Sequence, residues 1–178
     1  MMQHHPGGLE ITRRMLESAG LPDGAAVLDL GAGAGETLRL LRSLGYEARG
    51  LDREPRGQGV EQGDLGRTGF PDGSFDAVLS ECSFFVSGDQ SAAIGEAARL
   101  LKSGGKLLLA DVFFEDPFPL LDCAGFSLMY REDLTSLWRE YYLEALWRGE
   151  EPCCSIPRGK CSYWLLIAKR EGGEHGSL

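Results

Sequence analysis

The stretch Val27-Leu28-Asp29-Leu30-Gly31-Ala32-Gly33-Ala34-Gly35 constrains this chain more than any other. An apolar run carrying one acid enters a glycine at every second position. The pattern predicts a buried parallel strand that turns sharply into a helix. Glycine suits such a turn because the backbone must bend tightly and let another group come close with no Cβ in the way. The dinucleotide fingerprint G-x-G-x-x-G would require glycine at position 36, and the residue is Glu36. A glutamate at the mouth of that helix repels a pyrophosphate, which seeks bare N–H groups and the positive helix end. Nicotinamide-dependent reduction is therefore disfavoured.

The rest of the chain alternates strand and helix. Residues 9–20 carry apolar groups at helical spacing and end at the loop signal Gly20-Leu21-Pro22-Asp23-Gly24. Strands are predicted over 25–30, 47–51 (ending at Asp52), 60–62, 75–80 and 106–112, with helices over 36–44 and 91–101. Later come a short helix over 117–124, a strand over 126–130, an amphipathic helix over 132–148 and a last strand over 162–169. Short connections between alternating elements predict a parallel sheet covered on both faces. Residues 1–170 are read as one domain, and 171–178 as a flexible tail.

Composition sets the partner classes. A net charge of −9 in 178 residues repels phosphate backbones, so nucleic acid is not an expected partner. No apolar run approaches a membrane span, and Met1-Met2-Gln3-His4-His5 lacks the parts of a signal peptide, so a cytoplasmic protein is expected. The five cysteines have no regular spacing and are read as mostly reduced.

The D-x-G-x-G-x-G pattern of Asp29 to Gly35 resembles motif I of the class I S-adenosylmethionine (SAM) methyltransferases. Phe70-Pro71-Asp72-Gly73-Ser74-Phe75-Asp76-Ala77-Val78 is similar to that family's turn into its fourth strand. Arg99-Leu100-Leu101-Lys102-Ser103-Gly104-Gly105-Lys106-Leu107 is similar to its loop into the fifth. The chain thus resembles the small bacterial, type 11-like branch over most of its length. The resemblance implies a Rossmann-like α/β fold: a doubly wound seven-stranded sheet of order 3-2-1-4-5-7-6 with strand 7 antiparallel, and a ligand beyond the carboxyl ends of the strands. One departure stands out. Only Arg53 to Gly59, with Pro55 and two glycines, joins the second and third strands, so the family's helix there is expected to be missing.

Carried onto this sequence, the resemblance implies a SAM site made by Asp29, Gly31, Ala32, Gly33 and Gly35, with S-adenosylhomocysteine as product. Asp52 and Arg53 follow the second strand, and a carboxylate there accepts from the ribose hydroxyls. Asp64 and Leu65 match the pair around the adenine. Ser80 and Glu81 end the fourth strand, where the family lines the methyl-transfer site, and the resemblance further implies a helical lid over about 1–20.

SAM methyltransferases share no catalytic residue, because the sulfonium supplies the reactivity and the enzyme aligns a nucleophile. A base is required only for a protonated acceptor. The candidates are His5, Glu81 and Cys82, and the helix bearing Trp138, Tyr141, Tyr142, Leu143, Leu146 and Trp147 is a further source of cleft or dimer-surface side chains. Arsenite methyltransferases resemble this chain in placing a cysteine after the fourth strand, as in Ser80-Glu81-Cys82-Ser83. Cys153, Cys154 and Cys161 could join it in holding a thiol-bound metalloid, while Cys123 is read as core. No metal site is expected from these cysteines.

The leading expectation is in-line methyl transfer to a small-molecule or metabolite acceptor by a monomer or homodimer. The alternatives are a thiol or arsenite methyltransferase using Cys82 with Cys153, Cys154 and Cys161, and a non-catalytic SAM-binding sensor or partner subunit.

Overall fold

A computed structural model of the chain describes residues 5–150 and 160–172. β1 (Ala26–Leu30) runs through the middle of the sheet between β2 (Glu47–Asp52) and β4 (Phe75–Glu81), parallel to both. β3 (Val60–Gln62) extends one edge, and β5 (Leu101–Phe113), β7 (Ser162–Arg170) and β6 (Phe126–Asp133) follow β4 on the other. The order is β3-β2-β1-β4-β5-β7-β6, and β7 is antiparallel to both its neighbours. This is the expected seven-stranded Rossmann-like architecture.

The sheet separates two apolar cores. On one face Val27, Ala77, Leu79 and Leu108 pack with α1 (Gly8–Ala19), α2 (Glu36–Ser43) and α6 (Thr135–Arg148). On the other, Leu28, Leu30, Val78 and Leu107 pack with α4 (Gln90–Leu100) and α5 (Phe118–Cys123). Central parallel strands are buried on both sides and so carry apolar residues at successive positions, which is why they read as continuous hydrophobic runs. A one-turn helix, α3 (Phe84–Ser87), follows β4 and was not anticipated. Asp111 on β5 holds it in place, its Oδ2 accepting the backbone N–H groups of Phe84 and Phe85 at 2.8 and 3.1 Å.

As expected, β2 and β3 are joined without a helix. The short connection instead docks on the glycine turn, where the N–H groups of Arg56 and Gly57 both donate to the carbonyl of Gly33 at 3.0 Å. A Cβ at Gly57 would stand 2.4 Å from the carbonyl oxygen of Ala34, so only glycine lets these two loops touch.

Several expectations are corrected. β6 continues to Asp133, because its ladder with β7 reaches the pair Asp133↔Trp164; α6 therefore starts at Thr135 rather than 132. β5 begins at Leu101, the glycine-containing turn being absorbed as an irregularity in its pairing with β4. α6 buries Trp138, Tyr142 and Ala145 against the first core, with Tyr141 at its margin. Leu143, Leu146 and Trp147 face outward instead, so the helix is not cleanly amphipathic, and none of these side chains lines the cleft described below. Cys123 is exposed, not core, because the short α5 buries only Leu121.

Candidate functional site

A cleft of about 500 Å³ opens at the carboxyl ends of β1, β2 and β4, within the range typical of small-molecule sites. β1 and β4 are the neighbours at which the strand order reverses, and such switch points open crevices between loops that leave in opposite directions. The floor is the glycine turn. Gly31 has φ 87°, and a Cβ there would lie 1.9 Å from the Ser83 hydroxyl oxygen. Glycine at 31 thus lets the segment after β4 close onto the end of β1. Gly35 is the N-cap of α2; it faces Val60 and Gly57 and does not line the cleft. Gly31, Ala32 and Gly33 do line it.

Asp52 ends β2 at the rim of the turn. Its Oδ2 accepts the N–H of Gly33 and its Oδ1 the N–H of Glu54, both at 2.8 Å. Each oxygen keeps a lone pair for a ligand hydroxyl. Arg53 also lines the cleft and reaches back to Asp64, with Nη2 3.5 Å from Oδ2. Asp64 itself is turned outward, spending Oδ1 on the N–H of Gly66, whereas the buried Leu65 presents itself to the cavity. Ser80 is the candidate the fold takes away from the cleft. It points to the opposite face of β4, where its hydroxyl donates to the Leu30 carbonyl at 2.8 Å and ties β4 to β1.

Strand alternation brings the acids together. Asp29 pairs with Leu79 across β1 and β4, so Asp29 and Glu81 project from the same face of the sheet. Both line the cleft. Asp29 is buried, and its Oδ2 has no hydrogen-bond partner. Burial pushes its proton affinity well above the carboxylate range, and the charges of Glu81 and Asp52 push it further. Glu81, with a side chain 5% exposed, is pushed up to about 8 by burial, although hydroxyl donors pull the other way. Thr12 of α1 reaches both its oxygens at 3.0 Å, and Thr37 of α2 donates to Oε2 at 3.2 Å.

His5 closes the same corner. Its Nε2 lies 3.5 Å from Glu81 Oε2, and its buried Nδ1 has no partner. Burial lowers the imidazole's proton affinity, so near neutral pH the pair is an uncharged histidine beside a largely protonated glutamate. His5, ahead of α1, and Thr12, within it, thus both contact Glu81 at the end of β4.

Sequence reading missed Thr12, Thr37 and Asp111. Thr12 carried a signal: it sits within the buried stripe Gly8, Ile11, Thr12, Met15, Leu16, Ala19, and a polar group at a core position requires a partner.

Cys82 lines the cleft with φ 53°, a left-handed conformation uncommon outside glycine, and its Sγ is 3.4 Å from the Tyr163 hydroxyl. Burial, followed by the neighbouring Cys82, raises the Tyr163 phenol well above its ordinary value. Cys161 lies apart at the edge of the first core, and Cys153 and Cys154 fall outside the described residues. Among the described residues, no group of histidine, cysteine and carboxylate side chains is arranged to hold a metal ion.

The cleft suits a ligand with one cationic end and one hydroxylated end. The orphaned Asp29 oxygen offers an acceptor to an ammonium, Asp52 offers acceptors to hydroxyls, and Leu65 offers an apolar wall.

Comparisons with known proteins bear on the family and the fold. Residues 28–109 match the family model described as Methyltransferase domain. The chain is 28% identical over 148 residues to the uncharacterized methyltransferase YodH of Bacillus subtilis, covering 72% of this chain and 63% of that one. It is 32% identical over 142 residues to an arsenite methyltransferase of Aquipseudomonas alcaligenes, covering 64% of this chain and 40% of the relative. The chain thus spans roughly half the length of these curated relatives. Phosphoethanolamine N-methyltransferase 2 of Haemonchus contortus, solved with phosphomonomethylethanolamine and S-adenosylhomocysteine, shares the fold with a TM-score of 0.74 and 18% identity, over 94% of this chain and 54% of that one.

Proposed function

We propose that this chain, which belongs to the class I S-adenosylmethionine-dependent methyltransferases, binds SAM in the cleft beside the glycine turn and methylates a small-molecule acceptor. The observation that carries the reading is the pairing of the unpartnered Asp29 oxygen with the Asp52 carboxylate on one rim. In this reading Asp29 accepts from the donor's ammonium group, which removes the cost of leaving a buried carboxyl oxygen unpaired. Asp52 accepts from the ribose hydroxyls while its bonds to Gly33 and Glu54 keep it oriented. Leu65 bounds the adenine side, and the missing β2–β3 helix leaves that side open around Arg53 and Arg56. When bound, SAM supplies a sulfonium methyl that is already electrophilic.

The chain's own contribution is alignment and exclusion of water. α1 and His5 lie against Glu81 and form a roof over the methyl end of the cleft. A reaction centre closed in this way strengthens its internal electrostatics and fixes the approach of the acceptor. Residues 1–170 act as one unit in this scheme, with the segment up to about residue 20 as its lid.

Calorimetric titration with SAM and S-adenosylhomocysteine tests the reading, followed by detection of S-adenosylhomocysteine release with small-molecule acceptors. Binding of both nucleosides is expected. Binding of neither would remove the proposal, and binding without turnover across acceptor classes would favour a sensor or partner subunit.

A further inference from the structure

We propose that the corner formed by Glu81, His5, Thr12 and Thr37 is the acceptor subsite, that it takes a primary or secondary amine, and that Glu81 is the group that receives the amine's proton. The inference rests on the SAM-binding reading above and adds the acceptor to it.

The cleft holds more carboxyl groups than the donor's ammonium and ribose require. Asp29 and Glu81 line the cleft from the same face of the sheet, while the two arginines that line it, Arg53 and Arg56, belong to the β2–β3 connection. Asp29 and Asp52 suffice for the donor's ammonium and ribose. Glu81 remains: near neutral pH burial holds it largely protonated, and a cation seated against it is what favours its carboxylate form. The unpartnered, buried Asp29 oxygen on the same face independently indicates that this part of the cavity is built to receive N–H donors. A neutral acceptor would leave Glu81 with no positive charge to face. An ammonium would match it.

The elements around Glu81 point the same way. Thr12 and Thr37 donate to it from two helices, fixing its carboxyl without neutralising it. Neither side chain can carry a proton away. His5 can: its Nε2 is 3.5 Å from Glu81 Oε2, and its side chain is 12% exposed, between the corner and the outside. Asp29 and Glu36 are the other charged groups on this side, and the Tyr163 phenol lies behind Cys82. Those groups are acids, and among the described residues no lysine or arginine is paired with Glu81.

The step balances. An ammonium proton passes to the Glu81 carboxylate, leaving a neutral amine with a free lone pair. That pair forms the nitrogen–carbon bond to the donor's methyl, the carbon–sulfur bond breaks, and its electrons stay on sulfur. The proton on Glu81 then leaves through His5 to solvent.

The test uses paired probes on the full chain saturated with S-adenosylhomocysteine. Ethyl-, butyl- and benzylammonium are titrated beside ethanol, butanol and benzyl alcohol at pH 8. At least one ammonium is expected to bind tenfold or more tightly than its alcohol. Glu81→Gln, which can still accept from Thr12 and Thr37, is expected to keep S-adenosylhomocysteine binding and lose that preference. Equal binding within every pair, or a preference that survives in E81Q, overturns the acceptor assignment alone. Failure to bind S-adenosylhomocysteine overturns the donor reading and this inference with it.

Discussion

Thr12 and Glu81 lie 69 positions apart in the chain, yet the threonine hydroxyl sits 3.0 Å from both glutamate oxygens. This contact ties the N-terminal helix to the end of β4.

Thr12→Val keeps the shape of the side chain and removes its hydroxyl, leaving a buried acid with one donor fewer. The cost is about 1–2 kcal/mol. For a chain of this size that lowers Tm by roughly 3–6 °C. Thermal unfolding with and without S-adenosylhomocysteine checks it, and an unchanged Tm would mean the N-terminal helix is not held by this bond.

Glu81 gives the free protein an unusual pH dependence. Its folded pKa of about 8 lies above the unfolded value of 4.5, so between these two values the folded state binds more protons than the unfolded state. Stability from this group is then present below about 4.5 and declines as pH rises towards 8. Asp29 shifts in the same direction. The lowered His5 opposes them only between its folded value and 6.5. Urea unfolding at pH 5.5, 7 and 8.5 is expected to show falling stability, with a shallower fall in E81Q. A rise in stability over that range would contradict the burial of an ionisable Glu81.

Two glycines with similar backbone angles separate space from strain. Gly31 (φ 87°) faces Ser83, while Gly45 (φ 88°) has open space where a Cβ would go. Gly45→Ala should cost about 1–2 kcal/mol for the left-handed backbone alone. Gly31→Ala adds displacement of Ser83 and should cost at least about 3 kcal/mol, with loss of nucleoside binding. Equal destabilisation of the two variants would show that Ser83 does not close onto the turn.

Asp52 and Asp64 make opposite predictions for the donor. Asp52 lies on the cleft with its oxygens anchored by two N–H groups, and D52A should weaken S-adenosylhomocysteine binding about 10- to 100-fold. Asp64 is turned towards Gly66 and Arg53, and D64A should change affinity less than about threefold. Calorimetry on both variants checks the pair; a larger effect from D64A would restore the adenine role inferred from motif resemblance.

Local signals carried most of the fold. The glycine turn after Leu30, the apolar runs of β1, β4 and β5, and the stripe of α1 all reflect periodicity that burial imposes on the sequence itself. Pro55 with its neighbouring glycines likewise announced the lost helix. Boundaries at β6 and β5 did not follow, because ladder partners distant in the chain, Trp164 for Asp133 and Phe75 for Leu101, extended those strands beyond their local pattern.

The site divides along the same line. Gly31, Gly33 and Asp52, which line the cleft, were legible as candidates through the family resemblance of the sequence. Where the side chains of Ser80, Asp64, Thr12 and Thr37 would point was not, since a one-residue change of face along a strand decides between cleft and core. Sequence thus determined which backbone makes the cleft. Only the tertiary structure decided which acids share it, because the contact between Thr12, Thr37, His5 and Glu81 joins segments that meet only once the sheet is formed and α1 is laid across it.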